Sequence, residues 1–192
     1  NQLEEIIKAT EKHEKVSVYT INETYEGALL PLKSQCNPGD ASNISKLTGN
    51  KKLTQMNWEN EFIKPLHGEF NELLNKKESN QSPIMEIIQA ISIAAFQSEN
   101  SSVKKKLFVF SDMIQNTSNI SHYKGSLKFE EFKISPEYLK VRTDLQGVVV
   151  KIFYMRRTGA EEIQKGKTLA QFWADYFKSM GAVIDSIKSG EG

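Results

Sequence analysis

Asp112 closes the apolar run Leu107-Phe108-Val109-Phe110 through Ser111, and Ser82 stands one element earlier, directly before Pro83. A carboxylate at the carboxyl end of a buried strand and a hydroxyl at a helix start are both hard oxygen donors. Mg²⁺ or Mn²⁺ is held by one or two such groups, with water completing the octahedron. Each residue also has a plainer reading. Ser82 is a hydroxyl N-cap ahead of a proline at the first helical position, and Asp112 is a solvated loop residue. The loop beyond Asp112 adds Gln115, Asn116 and His122, and Arg156-Arg157 follow the apolar segment that ends at Tyr154. These five are candidates to lie near a ligand at the same edge, the arginines facing an acidic group. A solvated arginine pair is the simpler alternative.

Other chemistries find no support in the spacing. His13, His67 and His122 make no His-x-x-x-His pattern, so a histidine-based zinc site is not expected. Cys36 is the one cysteine, which removes intrachain disulfides and cysteine-rich zinc sites and leaves a half-buried structural thiol as its expected state. No Gly-x-Gly-x-x-Gly, P-loop or Gly-x-Ser-x-Gly segment is present, so the usual nucleotide and serine-hydrolase readings fall away. The 25 Lys+Arg balance 24 Asp+Glu to a formal charge of +1, giving no electrostatic footprint for nucleic acid or an anionic membrane.

The elements that would position these residues can be read from periodicity. Leu3, Ile6, Ile7 and Thr10 share one face of an opening helix. Residues 16–21 and 28–36 read as two strands of an antiparallel hairpin, with Pro31 placing the second at a sheet edge. Asn37-Pro38-Gly39-Asp40 breaks the chain, and residues 37–57 read as a long polar loop. A helical stripe runs from Trp58 to Leu74 around Pro65, where the helix kinks or starts. A broad apolar helix follows Ser82-Pro83. Residues 107–110 and 148–154 are apolar strands, with short helices at 129–132 and 136–141 between them and a loop at 156–167 after them. Thr168 and Gln171 have capping-box spacing ahead of the stripe Leu169, Phe172, Trp173, Tyr176, Phe177, Met180, which Gly181 terminates before a last strand at 183–187. Strands alternating with helices predict a three-layer Rossmann-like α/β sandwich, with a mostly parallel sheet and one antiparallel edge strand.

With 192 residues and 39% hydrophobic content, one domain spanning the whole chain is the default, and its core needs no disulfide staples. No run approaches the ~20 apolar residues of a membrane span. The chain opens on Asn1-Gln2-Leu3 without a visible signal peptide or an initiator methionine, which leaves an upstream signal or anchor open.

The segment Lys106-Leu-Phe-Val-Phe-Ser-Asp112-Met resembles the strand-then-Asp signature of von Willebrand factor A-type domains. Ser82-Pro83-Ile84 before an apolar helix resembles that family's hydroxyl-led helix start, and the remaining elements occur in the family's order. The resemblance is closest to a bacterial subset with an Asn-Pro-Gly-Asp loop and a Ser-Asp-Met-Ile-Gln-Asn-Thr stretch. It implies a sheet of order 3-2-1-4-5-6 and a metal-ion-dependent adhesion site that would include Ser82 and Asp112. The family's first strand, with its Asp-x-Ser-x-Ser motif, has no counterpart here. By the family's order it belongs immediately upstream of Asn1.

Two functions of different class follow. One is a protein-binding module, in which a Mg²⁺ held by Ser82 and Asp112 takes a carboxylate from a partner and the loops 37–57 and 113–126 select it. In a variant of that reading the metal site has decayed and the scaffold binds through its loops alone. The other is a metal-dependent hydrolase with His122 as acid or base, for which a second carboxylate aimed at the same crevice is missing.

Overall fold

The computed structural model describes residues 2–21, 29–42, 44–45, 49–74, 81–97, 103–125 and 127–189. The chain divides into two compact units, one from residues 1–20 and 30–78, the other from 21–29 and 79–192.

The first unit opens with α1 (Gln2–Lys8), which buries Ile7. Strand β1 (Lys15–Val18) pairs antiparallel with β2 (Lys33–Cys36), from Lys15 opposite Cys36 to Val18 opposite Lys33. The expected hairpin is therefore present, with its second strand shorter than read. Its turn, 22–27, lies outside the described residues. Strand β2 begins two residues after Pro31, which has no N–H to give a ladder. Cys36 is exposed rather than half-buried. Asn37 gives the Asn-Pro-Gly-Asp break its shape: its side chain donates to the Thr10 carbonyl at 2.7 Å and accepts from Gly39 N at 2.8 Å. Gly39 has φ +91°, a left-handed conformation that glycine adopts without penalty.

The polar stretch 37–57 is not loop throughout. Helix α2 (Lys51–Trp58) starts where Asn50 accepts the Leu53 N–H, a cap bond that polar composition conceals. The helix continues through a π turn at 59–63 into α3 (Lys64–Leu74). In that turn Lys64 N reaches back to the Glu59 carbonyl. The widened turn lets the chain pass Pro65, which cannot donate to the preceding turn, without ending the helix. Phe62 and Leu66 from this stretch close on Ile7 and Val18 to form the unit's core.

The second unit is built on a parallel sheet of order β3–β4–β5. Helix α4 (Ile84–Ile91) runs into a π turn at 92–96 and buries six of its eight residues. Strand β3 (Lys106–Ser111) is followed by a structured loop with a 3-10 turn at His122–Lys124, then α5 (Phe129–Lys133) and α6 (Pro136–Val141). Strand β4 (Val149–Tyr154) pairs in register with β3, Lys106 opposite Val149 to Ser111 opposite Tyr154. Helix α7 (Glu161–Gln164) interrupts the expected loop 156–167. Helix α8 (Thr168–Ser179) then leads to β5 (Val183–Ser189), which pairs with β4 across a bulge at Val150/Lys151.

The stripe on α8 is buried as its spacing requires, with Trp173, Tyr176 and Phe177 at 0% exposure. Its helix start differs from the reading, because the N-cap is Lys167 and Gln171 donates to Asp175 instead of reaching back. Gly181, φ +85°, ends the helix. A Cβ there would meet the Gln146 side chain at 2.5 Å and its Cα at 3.1 Å.

The protein is thus mixed α/β, with a three-stranded parallel sheet and a separate two-stranded antiparallel sheet. Among the described strands, β1 and β2 pair with each other alone. No helix of the described residues is long and apolar enough to cross a membrane.

Candidate functional site

Strand β3 ends at Ser111 and the chain turns at once. Ser111 Oγ accepts from Met113 N at 3.0 Å, and Asp112 Oδ1 accepts from Ile114 N at 3.0 Å. Short polar side chains thereby capture the first N–H groups that leave the ladder. Met113 takes φ +57° while fully buried. A left-handed conformation costs a residue other than glycine roughly 1–2 kcal/mol. The surroundings impose it, because Trp173 Nε1 on α8 donates to the Met113 carbonyl at 2.6 Å. Strain of this kind gathers at functional sites, and here it sits beside Asp112.

The second carboxylate oxygen of Asp112, Oδ2, accepts from Arg157 Nη1 at 3.1 Å, with the two side chains 17% and 23% exposed respectively. Gln164 of α7 closes the arrangement. Its amide nitrogen donates to the carbonyls of Asp112 at 3.0 Å and Met155 at 2.9 Å, and its oxygen accepts from Arg157 N at 2.9 Å. One glutamine therefore ties the end of β3, the end of β4 and the start of the arginine segment together. Beside it, burial pushes the Tyr154 hydroxyl up to about 12, so the phenol stays protonated.

The loop after Asp112 is not the exposed polar segment its composition suggests. Ile114, Gln115, Ile120 and His122 are buried. Gln115 is the centre of the loop. Its N–H donates to His122 Nδ1 at 3.0 Å, and its carbonyl accepts from His122 N at 3.0 Å. Its side-chain oxygen accepts from Met85 N at 3.0 Å, and its side-chain nitrogen donates to Glu86 at 2.9 Å. Gln115 thus caps α4 from outside. The hydroxyl cap expected of Ser82 is corrected here. Pro83 is the N-cap residue, without a side-chain bond, and the Met85 N–H goes to Gln115. Ser82 instead pairs through its backbone with Asn116, N to O at 2.9 Å and O to N at 3.1 Å. Asn116 Oδ1 takes the Ser121 hydroxyl at 2.8 Å.

His122 lies inside this packing. Its ring sits 5.0 Å from Phe172 and 6.0 Å from Trp173, and its Nε2 is buried without a hydrogen-bond partner. Burial pushes its pKa down from 6.5 to about 4, against the pull of the Asp112 carboxylate. The Gln115 N–H aimed at Nδ1 requires that nitrogen to be unprotonated, which also suits a neutral ring.

The predicted residues thus fall into two groups. Ser82, Gln115, Asn116 and His122 are joined by hydrogen bonds, and Asp112 is joined to Arg157. Arg156 is exposed and outside both. Sequence reasoning does not find Gln164, Glu86 or Trp173 as parts of the site. Gln164 bonds to a residue 52 positions away and Trp173 to one 60 away, so no local spacing announces either contact.

This donor set does not fit Mg²⁺ or Mn²⁺ held at Asp112. A divalent cation there would meet the Arg157 guanidinium on the oxygen it needs. Among the described residues no group of three His, Cys, Asp or Glu side chains gathers. Comparison with family models, curated proteins and solved structures finds no match.

Proposed function

We propose that the chain is a protein-binding module of von Willebrand A type whose carboxyl-edge carboxylate is closed by an internal arginine, so that it engages partners through its loops without a divalent cation. The observation that carries this reading is the Asp112–Arg157 contact at 3.1 Å, most of it removed from solvent. A guanidinium satisfies a carboxylate in charge and in hydrogen-bond geometry. An arriving cation would have to displace the guanidinium from that carboxylate oxygen. The rigid loop 112–125 supports binding over turnover. Its polar groups bond one another, and the His122 ring is buried against Phe172 and Trp173, away from the reach of a substrate.

Capture of partner proteins from cells of the source organism tests the reading. The chain is expected to retain the same partners in excess EDTA as in Mg²⁺. A partner lost on chelation would sink the cation-free mode. Phosphoester and carboxylester panels are expected to show no turnover; a rate abolished in Asp112→Ala would establish the hydrolase instead.

A further inference from the structure

Strand β3 is the end strand of its sheet among the described residues, yet its sequence is that of an interior strand. Between Lys106 and Ser111 it carries only Leu107, Phe108, Val109 and Phe110, a continuous apolar run of the kind found where neighbours stand on every side. The opposite end strand, β5, is built as an edge. Asp185, Ser186 and Lys188 break its apolar pattern, which guards against stray pairing. No charge guards β3 between its two ends. The ladder shows which groups are open. Val149 N donates to the Lys105 carbonyl and Met155 N to the Ser111 carbonyl, both at 2.9 Å. Main-chain groups alternate sides along a strand, so Leu107 and Val109 also face β4 while Phe108 and Phe110 turn N–H and C=O to the outer edge. No described residue takes up a hydrogen bond there.

The side chains say what kind of strand fits. Leu107 and Val109 are covered, each 8% exposed, whereas Phe108 on the other face is 37% exposed. An added strand therefore gains most from a large apolar residue on the Phe108 face. Charge marks one end of the edge. Lys104, Lys105 and Lys106 lead into β3. Lys105 reaches the Phe96 carbonyl, and Lys104 and Lys106 are exposed. A carboxylate at that end of the added strand would meet them. A second copy of β3 supplies one poorly. Antiparallel pairing about Val109 sets Lys106 against Asp112 of the other copy, whose carboxylate already holds Arg157. Parallel pairing sets lysines beside lysines.

We infer that the outer edge of β3 is a strand-addition site for an extended segment of a partner protein, apolar in its middle and acidic at the end beside Lys104 and Lys106. Main-chain bonds to Phe108 and Phe110 supply affinity, and the Phe108 face selects the side chain. The inference rests on the protein-binding reading above. It adds a main-chain contact to the loops and gives the partner a chemistry.

Random heptapeptides displayed on phage and selected against the full chain supply the probe. Enriched peptides are expected to share a central apolar run with an acidic residue at one end. The best of them is then made again with N-methyl groups on alternate residues. Methylating the set that faces β3 removes the donors it needs and should weaken binding about tenfold, while methylating the outward set should leave it within about threefold. Peptide should also slow hydrogen exchange at the Phe108 and Phe110 amides, and Lys104→Glu with Lys106→Glu should weaken binding about tenfold. Equal effects of the two methylated sets, or unchanged exchange at both amides, would overturn the edge and leave the binding-module reading standing. Peptides without an acidic residue would overturn the partner chemistry. Slow exchange at both amides before peptide is added would also overturn the site, because the edge would already be filled. Sedimentation would then tell a second copy from a segment of the same chain. No enriched peptide while partners are still captured from cells would overturn the edge alone. No peptide and no captured partner would overturn both readings.

Discussion

Gln115→Ala is expected to destabilise the second unit by about 3 kcal/mol, since each lost buried hydrogen-bond partner costs ~1–3 kcal/mol and a cavity adds to it. The residue is fully buried, and its side chain serves the first free N–H of α4 and the Glu86 carboxylate together. Alanine leaves a buried backbone N–H at Met85 with no acceptor. Gln115→Met separates the causes, because it fills the space without supplying the acceptor, and it should recover only about a third of the loss. Hydrogen exchange at the Met85 amide is the most local readout. Protection there should fall about a hundredfold in Gln115→Ala, the equivalent of ~3 kcal/mol. A change below about 1 kcal/mol would mean that the loop does not cap the helix.

The second large effect is acid lability from His122. The folded ring stays neutral down to about pH 4, whereas the unfolded ring titrates at its ordinary 6.5. Between those values the unfolded state binds a proton that the folded state refuses, so stability falls as pH falls. The slope is about 1.4 kcal/mol per pH unit; the loss reaches about 3 kcal/mol by pH 4 and levels off below it, where the folded ring protonates as well. His122→Asn keeps an acceptor for the Gln115 N–H and removes the titration. Its stability at pH 7 should be lower, because a buried ring is lost, but its decline from pH 6.5 to 4.5 should be shallower by one proton. Urea unfolding across that range measures the difference. Equal slopes in the two proteins would show that the ring is not buried neutral.

How much of this was legible beforehand depends on whether the cause was local. The stripe on α8, the apolar strands ending at Ser111 and Tyr154, and the short helices at Phe129 and Pro136 all follow from side-chain periodicity, and each appears where the pattern placed it. Helix α2 was hidden because Lys51, Lys52, Thr54, Gln55 and Asn57 face solvent or nearly so, and none of the helix's residues is buried. Only the Asn50 cap marked its start. The pairing of β1 with β2 and the order β3–β4–β5 agree with the corresponding parts of the order 3-2-1-4-5-6 that the resemblance implies, although single short strands do not encode a long-range pairing.

Asp112 and Arg157 each follow an apolar strand, but nothing in their spacing says that they meet at 3.1 Å. Ser82 was read by a rule about helix starts, whereas the acceptor for that start comes from Gln115, 30 residues away from the Met85 N–H it serves. Loop composition misled most. A run rich in Asn, Ser and Gln reads as solvated, yet these side chains bond one another and let the loop turn inward over Met113 and Ile114.

The central claim is that Arg157 occupies the carboxylate where a cation would bind. Calorimetric titration of the natural chain with Mg²⁺ and Mn²⁺, with Asp112→Ala and Arg157→Ala beside it, tests this most directly. The expected result is no saturable heat for the unaltered chain or for Asp112→Ala at millimolar metal. Arg157→Ala, which frees the carboxylate, is the one protein in which weak Mn²⁺ binding is allowed. One ion bound per unaltered chain and lost in Asp112→Ala would contradict the claim and restore the metal-dependent adhesion site.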